Sequence, residues 1–362
     1  MRSLKELARR NVRALKAYSS ARDEYKGYEA HVFLDANESP YNSPINRYPD
    51  PLQQDVKAMI VDHRKRNEIW SGSNEFALTT NHLFLGNGSD EAIDLLFRVF
   101  CEPRIDNVVA IDPSYGMYQV CAETNDVTYR KVSLTNDFEM DVDAILKAID
   151  AHTKLLFICS PNNPTGNLIE VGKVKEILAN YDGLLVIDEA YVDFANEPSW
   201  LTRLAQYDKL VVLQTMSKAW GCAGIRLGMA WANEYVIELF NKIKYPYNVN
   251  KLTQEAAKFR LSEEELVHSE VEMIVEEREK MRVSLEQLPM SLLVYPSQAN
   301  FLLVQLKNAD SLYHFLVTKG VIVRNRNRVH RCAGCLRLTI GSQAENKELL
   351  ALINEYAKGN LV

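Results

Sequence analysis

One lysine lies in a segment whose residue types suit covalent chemistry. Lys218 occurs in the run Gln214-Thr-Met-Ser-Lys-Ala-Trp-Gly221, and Arg226 follows eight positions later. A lysine beside a fixed positive charge loses part of its preference for the protonated form, and a neutral amine can form a Schiff base with a carbonyl. The hydroxyls of Thr215 and Ser217, together with the Arg226 guanidinium, suit a phosphate ester. The segment therefore predicts a site for a phosphorylated carbonyl compound.

Two further clusters of polar residues could bind a phosphate and a cation. The run Gly86-Asn-Gly-Ser-Asp90 opens a predicted helix, and the free N–H groups and positive dipole of a helix start favour phosphate. Asp188 ends a buried apolar run, where a carboxylate is costly unless it meets a cation. Pyridoxal 5′-phosphate presents an aldehyde, a phosphate and a pyridinium nitrogen in one molecule. We therefore predict this cofactor, with Lys218 on its aldehyde and Asp188 at its ring nitrogen.

Three more side chains after predicted strands are candidates for contact with the ring. Asn163 and Tyr191 are placed to hydrogen-bond a ring hydroxyl, and Tyr115 is placed to lie on the ring face. Each feature taken alone has an ordinary alternative, such as a solvated loop lysine, a capping aspartate or a tight turn. The prediction depends on the coincidence of all of them at successive strand ends.

Short apolar runs between residues 80 and 245 are the predicted strands that position these clusters. They are apolar throughout, as in strands covered on both faces of a mainly parallel sheet, and helical segments separate them. We predict an α/β fold with an open sheet flanked by helices, and a ligand site at the carboxyl ends of the strands. The runs are Val108–Ile111, Leu155–Ile158, Leu184–Ile187 and Leu210–Leu213, and the helical segments include Asp90–Phe100 and Val171–Ala179.

The pattern changes after residue 250 and predicts a second, smaller α+β domain. A long charged helical stretch covers residues 254–288, and short strands are predicted at Phe301–Gln305, Val321–Val323 and Leu336–Ile340. The hydrophobic spacing from Leu4 to Leu15 predicts a basic amphipathic helix, which we interpret as an arm on the main body rather than a transit peptide. We divide the chain into an arm with part of the small domain (1–45), a large cofactor-binding domain (46–250) and a small C-terminal domain (251–362).

Composition excludes several classes of protein. The 362 residues carry 42 basic and 48 acidic side chains, a balance that provides no general field for nucleic acid. No apolar run approaches the roughly 20 residues of a membrane span. Six cysteines in a chain of this length indicate a reducing compartment, and we expect a cytoplasmic location. The pair Cys332 and Cys335 has no second pair of zinc ligands, so we predict two loop thiols and no metal site.

The sequence resembles the fold-type-I pyridoxal-phosphate aminotransferases nearly end to end. Ser160–Gly166 and Ser217–Lys218 are typical of the broad superfamily. Within it, Asn46-Arg-Tyr-Pro49 and Pro246-Tyr-Asn-Val-Asn250 resemble the histidinol-phosphate aminotransferases. The resemblance implies a homodimer with shared active sites, acting on small molecules and not on nucleic acid or membranes.

The resemblance also implies roles for individual residues. Lys218 would bind the cofactor and move the proton of the substrate carbon, with Asp188 and Tyr191 as the other catalytic residues. The implied cofactor contacts are Ser89, Asp90, Tyr115, Asn163, Asp188, Tyr191, Thr215, Ser217, Lys218 and Arg226, with Tyr48 reaching across from the neighbouring subunit. The implied substrate contacts are Tyr18, Asn37, Arg324 and Arg337.

The implied reaction is the transamination of imidazole-acetol phosphate with L-glutamate, which gives L-histidinol phosphate and 2-oxoglutarate in histidine biosynthesis. A threonine-phosphate decarboxylase and an aromatic aminotransferase are alternatives, because all need the same lysine and aspartate. A ligand sensor with a DNA-binding head is disfavoured, since we expect no room for that head before Leu34. The basic loop with Arg326, Arg328, His330 and Arg331 either binds a phosphorylated substrate or is solvated, and apart from Arg324 we favour solvation.

Overall fold

Residues 2–17, 31–67 and 78–360 are described by a computed structural model of the chain. Its larger sheet contains seven strands, namely β1 (Leu83–Asn87), β2 (Asn107–Asp112), β3 (Thr128–Ser133), β4 (Thr153–Cys159), β5 (Leu184–Asp188), β6 (Leu210–Thr215) and β7 (Leu227–Ala232). Its smaller sheet contains β8 (Ser291–Val294), β9 (Phe301–Leu306), β10 (Arg324–Asn325) and β11 (Cys335–Thr339).

Twelve α-helices are assigned within the described residues. They are α1 (Leu4–Leu7), α2 (Arg10–Ala14), α3 (Gln54–Asn67), α4 (Gly88–Phe100), α5 (Met117–Thr124), α6 (Val142–Ala148), α7 (Val171–Asn180), α8 (Glu234–Ile243), α9 (Lys251–Ser262), α10 (Glu264–Glu286), α11 (Ala309–Thr318) and α12 (Gln343–Asn360). None of these described helices is long and apolar enough to cross a membrane.

The larger sheet is mainly parallel. Its strand order is β1-β7-β6-β5-β4-β2-β3, and the strands from β6 to β3 pair in parallel, while β7 runs antiparallel to β1 and β6. The middle strands β4, β5 and β6 are almost entirely buried. Such strands read as continuous apolar runs because helices cover both faces. The predicted α/β fold with a mainly parallel sheet is confirmed.

Two apolar layers cover the two faces of this sheet. One contains Phe84, Phe97 and Phe240, with the helices α4 and α8. The other contains Leu156, Ile187 and Trp231 and extends to Ala257 of α9. The second layer therefore connects the large sheet to the helices that follow residue 250.

The N-terminal segment packs on the first of these layers as two short helices rather than one. Leu7, Ala8 and Val12 are buried in that layer. The helix predicted across residues 4–15 is interrupted at Arg9, whose backbone N–H donates to the Val99 carbonyl over 2.9 Å. A tertiary hydrogen bond has replaced one helical bond, which local spacing does not reveal.

The smaller sheet is antiparallel, with strand order β10-β11-β9-β8, and packs against α10, α11 and α12 through its own apolar cluster. The strand predicted at Val321–Val323 is wrong, because the paired residues are Arg324 and Asn325. The helix predicted over 254–288 is divided at Glu263 into α9 and α10. The strands β1, β3, β7 and β8 were not predicted from the sequence. The largely exposed strand β3 is mostly polar, whereas β1 and β7 are buried and each contain a glycine.

A close backbone approach joins β7 to the start of α4. A Cβ atom on Gly228 would lie 2.0 Å from the Ser89 nitrogen and 2.1 Å from the Gly88 carbonyl carbon. Gly88 itself has a φ of 71° and its N–H donates to the Arg226 carbonyl over 2.7 Å. Only glycine fits this close approach, so the contact with β7 fixes where α4 begins.

We expect Gly228→Ala to destabilise the protein by about 3 kcal/mol or more, because its methyl group meets backbone that has no room to move. Urea unfolding followed by circular dichroism measures this loss. Gly359→Ala is the control, since a Cβ there meets no atom within 4 Å and alanine favours a helix. An unchanged unfolding free energy for Gly228→Ala would contradict the close approach.

Candidate active site

A cavity of about 130 Å³ lies at the carboxyl ends of the parallel strands. The strand ends are aligned there, since Cys159 of β4 pairs with Asp188 of β5, which pairs with Leu213 of β6. Of the eleven cofactor contacts predicted, all but Tyr48 line this one cavity: Ser89, Asp90, Tyr115, Asn163, Asp188, Tyr191, Thr215, Ser217, Lys218 and Arg226. The fold therefore brings together residues that are up to 137 positions apart in the chain.

Lys218 lies in the turn that follows β6, and its side chain is half-buried. Its Nζ atom is 5.7 Å from the centre of the Tyr191 ring. Burial lowers the pKa of Lys218, and the positive charges of Arg337 and Arg226 lower it further, against the opposing effects of Asp188 and Asp90. The neutral amine, which is the nucleophilic form, is therefore more accessible than in a solvated lysine.

Asp188 is the last residue of β5 and only 2% of it is exposed. Burial raises the pKa of this carboxyl to about 6, although hydrogen bonds from the Tyr118 hydroxyl and the Ala190 N–H oppose the shift. These bonds measure 2.7 Å to Oδ2 and 3.1 Å to Oδ1. A carboxylate held here is stabilised by a cation in the adjoining cavity, and a protonated ring nitrogen would be such a cation.

Tyr118 was missed by sequence reasoning as a site residue. It lies three positions after Tyr115 on the same turn of chain, fully buried, and its ring packs 4.6 Å from that of Phe157. Tyr118 belongs to the first turn of α5, whereas Tyr115 precedes that helix. Nothing in the sequence, however, shows that the second hydroxyl reaches Asp188.

Glu189, adjacent to Asp188, is a buried acid whose carboxylate is hydrogen-bonded entirely by other protein groups. Its Oε1 accepts the Trp200 N–H over 2.6 Å, and its Oε2 accepts from the Ser199 hydroxyl and from Gln214 Nε2. Glu189 thus has protein donors on all sides and does not line the cavity. The contrast assigns the cavity-facing role to Asp188.

The start of α4 and Arg226 form one end of the cavity. In the described structure α4 has no side-chain N-cap. The Gly88 N–H donates to the Arg226 carbonyl, and the N–H groups that follow it remain available to an anion. Arg226, in the left-handed conformation with φ 57°, places its Nη2 atom 3.5 Å from Asp90 Oδ2. Asp90 also accepts the Tyr115 hydroxyl over 3.0 Å. Its carboxylate therefore positions Arg226 and Tyr115, and its N–H belongs to the anion-binding helix start.

Thr215 and Ser217 shape the turn that carries Lys218. The Thr215 Oγ1 accepts the Ser217 N–H over 3.1 Å and donates to the Leu227 carbonyl over 3.2 Å. Thr215 is buried by these contacts, whereas Ser217 is half-exposed at the cavity. The geometry suits Thr215 for holding the turn and Ser217 for contacting a phosphate.

Asn163 and Tyr191 form the other end of the cavity, next to Arg337. Asn163 Nδ2 donates to the Tyr191 hydroxyl over 3.4 Å, and Asn163 Oδ1 accepts from Arg337 Nη1 over 2.6 Å. The Arg337 guanidinium lies 5.1 Å from the Phe301 ring centre. Arg337 and Phe301 belong to the smaller sheet, so this end of the site is built by both sheets.

The remaining predicted residues lie elsewhere. Tyr48 and Asn37 line a separate cavity of about 420 Å³, where Tyr48 stacks on Tyr247 at 4.5 Å. Arg324 is exposed on β10, directly opposite Arg337. Tyr18 lies outside the described residues. Within one subunit the structure therefore joins Arg337 to the cofactor cavity and leaves Tyr48 and Asn37 away from it.

The donor set of the cavity fits pyridoxal 5′-phosphate. A lysine with a lowered pKa faces the same space as a buried carboxylate, and a helix start with an arginine provides for a phosphate. Each of the three groups named for the cofactor thus has a matching residue. Across residues 2–17, 31–67 and 78–360, no cluster of three or more His, Cys, Asp or Glu side chains is arranged to hold a metal ion.

Comparison with known proteins agrees with this geometry. The family described as aminotransferase class I and II matches residues 23–353. The chain belongs to the class I and II aminotransferases. It is 51% identical over 356 residues to a histidinol-phosphate aminotransferase of Bacteroides fragilis, an alignment that covers 98% of this chain and 100% of that protein. The family predicted from the sequence motifs is confirmed.

Solved structures share the fold at lower sequence identity. The histidinol-phosphate aminotransferase of Sinorhizobium meliloti in complex with pyridoxal 5′-phosphate gives a TM-score of 0.76 at 20% identity, covering 86% of this chain and 83% of that one. The L-threonine-O-3-phosphate decarboxylase of Porphyromonas gingivalis gives 0.71 at 22% identity, covering 87% and 91%. Both likenesses concern the fold, which therefore does not separate the two activities.

We expect Asp188→Asn to stabilise the cofactor-free protein, and more strongly at pH 8 than at pH 5. The pKa of Asp188 is raised from 3.8 to about 6 in the folded state. The free energy of unfolding therefore decreases as the pH rises from about 4 to about 6, and it stays at the lower value above that range. The shift corresponds to at most about 3 kcal/mol. Urea unfolding of both cofactor-free proteins at the two pH values measures the difference.

The same variant should bind the cofactor more weakly, because a neutral amide does not neutralise a ring cation. Equilibrium dialysis of pyridoxal 5′-phosphate provides this second measurement. A stability gain that does not depend on pH would contradict a buried, ionising Asp188.

Proposed function

We propose that the protein is a pyridoxal-phosphate-dependent aminotransferase that transfers the amino group of L-glutamate to imidazole-acetol phosphate. The products are 2-oxoglutarate and L-histidinol phosphate, an intermediate of histidine biosynthesis. The observation that carries the proposal is the placement of Lys218 and Asp188 on one cavity beside Arg337. The 51% identity to a histidinol-phosphate aminotransferase over the whole length supports the substrate.

The residues of the cavity divide the work of such a reaction. The bound cofactor supplies the electron sink that makes the hydrogen on the substrate carbon acidic. The Lys218 amine, with its lowered pKa, is suited to remove that proton and to return it one position away. Asp188 would keep a proton on the ring nitrogen, and Tyr118 holds its carboxylate in place. Tyr191 and Asn163 would hydrogen-bond the ring hydroxyl.

Arg337 is suited to bind the anions of both half-reactions. Its Nη1 donates to Asn163, which lines the cavity, and its Nε is buried without a hydrogen-bond partner in the described structure. A planar guanidinium can grip a carboxylate or a phosphate in the same fork geometry. Glutamate and a phosphate monoester can therefore use this arginine in turn, as a ping-pong aminotransferase requires.

We further propose a homodimer in which Tyr48 and Asn37 complete the neighbouring subunit's site. The segment around Tyr48 exposes large apolar side chains, including Leu34 at 90%. Val32, Tyr41 and Ile45 of the same segment are also exposed, as are Tyr245 and Leu252 later in the chain. Apolar exposure of this extent is typical of a protein–protein interface. A cytoplasmic location is proposed from the six free cysteines, since thiols persist in a reducing compartment.

A substrate comparison tests the proposed reaction. On mixing with L-glutamate or L-histidinol phosphate, the absorbance of the bound cofactor should change from that of the pyridoxal form to that of the pyridoxamine form. The change should be smaller with L-phenylalanine at equal concentration. Lys218→Ala is the blank, with a rate lower by about a thousandfold or more, because general acid–base catalysis contributes that much. Release of CO₂ from O-phospho-L-threonine, without conversion by L-histidinol phosphate, would identify the decarboxylase instead.

Mixed dimers test whether Tyr48 acts across subunits. We expect Tyr48→Phe and Lys218→Ala homodimers each to be impaired. Reassociation of equal amounts should restore about a quarter of the wild-type activity, because half of the dimers are mixed and each mixed dimer has one intact site. The activity of refolded mixtures against refolded homodimers measures this gain. Without any recovery, Tyr48 would belong to its own subunit's site.

A further inference from the structure

Three arginines lie on one face of the smaller sheet. Arg324 of β10 pairs directly with Arg337 of β11. Two residues further on, the Arg326 N–H donates to the Cys335 carbonyl over 2.9 Å and continues the same ladder. Alternate residues of a strand share a face, and so do directly opposed residues of paired strands. The side chains of Arg324, Arg326 and Arg337 therefore lie together.

The positive charge of this trio is not balanced by an acid. In the described part of the chain none of the three forms an ion pair, whereas Arg260 and Arg282 of α9 and α10 pair with glutamates. Burial, followed by the charges of Arg337 and Arg324, lowers the pKa of Arg326 to about 10. The pKa of Arg337 is lowered by burial and by Arg324. Cations held together in this way favour an incoming anion.

Two of the guanidiniums also carry unsatisfied donors. The Nε atoms of Arg326 and Arg337 are buried, and neither has a hydrogen-bond partner in the described structure. A buried donor without an acceptor destabilises the folded state. An oxyanion bound between the two side chains would satisfy both donors. The positive charges of Arg337 and Arg326 both act to lower the pKa of the Tyr191 hydroxyl, against the larger effect of burial. An anion bound between these arginines would therefore lie at the Tyr191 end of the cavity.

The other basic residues of this loop are arranged differently. Arg331 donates to Asn136, and His330 is 2.9 Å from the Ser133 hydroxyl. Arg328 is exposed. Solvation, which we favoured for the loop from sequence, thus describes Arg328 but not Arg326. Arg328 is consequently a matched control, being an arginine of the same loop outside the trio.

The number of guanidiniums indicates which anion they bind. A carboxylate has two oxygens and one charge, and a single arginine can satisfy it in the bidentate geometry. A phosphate monoester has three terminal oxygens and a charge of about −1.5 to −2 at neutral pH. Arg337 alone is sufficient for a carboxylate. The additional guanidiniums match the third oxygen and the second charge of a phosphate.

We propose that Arg326 is a ligand of the substrate's phosphate, beside Arg337 and Arg324, and that it favours the phosphorylated substrate over glutamate. This inference rests on the proposed function, because it takes the substrate to be a phosphate monoester. It makes Arg326 a specificity-determining residue: Arg337 serves both half-reactions, and Arg326 serves mainly one.

The test is to compare Arg326→Gln with Arg328→Gln in the cofactor-loaded enzyme. Single-turnover absorbance changes give the half-saturating concentrations of L-histidinol phosphate and L-glutamate separately. We expect Arg326→Gln to raise the value for L-histidinol phosphate about tenfold, as for the loss of one charge-assisted hydrogen bond, and that for glutamate less than about twofold. Arg328→Gln should leave both values unchanged. Equal losses for both substrates, or no loss for L-histidinol phosphate, would overturn the proposal.

Arg326→Lys covers the case in which the glutamine variant does not fold. Lysine retains the charge but lacks the planar fork. A loss restricted to L-histidinol phosphate would support the role of Arg326, and a loss shared with glutamate would refute it.

Calorimetric titration with inorganic phosphate separates this inference from the proposed function. In a phosphate-free buffer, the cofactor-loaded Arg326→Gln protein should bind phosphate more weakly than the Arg328→Gln protein. If the wild-type enzyme reacts with glutamate but not with L-histidinol phosphate, the proposed function fails and this titration still decides on Arg326. Equal phosphate affinities of the two variants would rule Arg326 out as a phosphate ligand.

Discussion

The buried carboxylate of Asp188 is the interaction on which the active site depends. It stands at the end of a strand with neighbours on both sides, where burial makes ionisation unfavourable. Among the described residues Asp188 has two hydrogen bonds and no direct ion pair, so a cation in the cavity would compensate its charge more fully. The neighbouring Glu189, by contrast, is satisfied by protein donors. The incompletely compensated negative charge of Asp188 thus favours a protonated ring nitrogen in the cavity.

The elements around this acid are held by packing of the sheet. Parallel strands align Cys159, Asp188 and Leu213 at one edge, and the turn after each strand carries a different part of the site. The antiparallel strand β7 has a separate role, because Gly228 allows it to touch the start of α4. The anion-binding end is therefore set by backbone contact, whereas the opposite end depends on side chains from the smaller sheet.

Much of this arrangement could be predicted from sequence, because it follows from strand ends. Asp188 comes directly after a continuous apolar run, and Asn163 and Lys218 lie in the turns that follow two other such runs. A parallel sheet gathers the ends of its strands at one edge. The contacts of Tyr118 with Asp188 and of Arg337 with Asn163 could not be predicted, since they join distant segments through side-chain geometry. Burial of Arg326 was missed for the same reason: a loop rich in arginine reads as solvated until its pairing with β11 is known.

The hydrogen bond between Arg337 and Asn163 has a consequence for how substrate and cofactor influence each other. The same guanidinium that faces an incoming anion also polarises the amide that contacts Tyr191. When the anion draws on the positive charge of Arg337, less of it acts on Asn163 and on the ring oxygen beyond. Occupancy of the anion site would thereby influence the electronic state of a bound coenzyme through the contacts of Arg337 with Asn163 and of Asn163 with Tyr191.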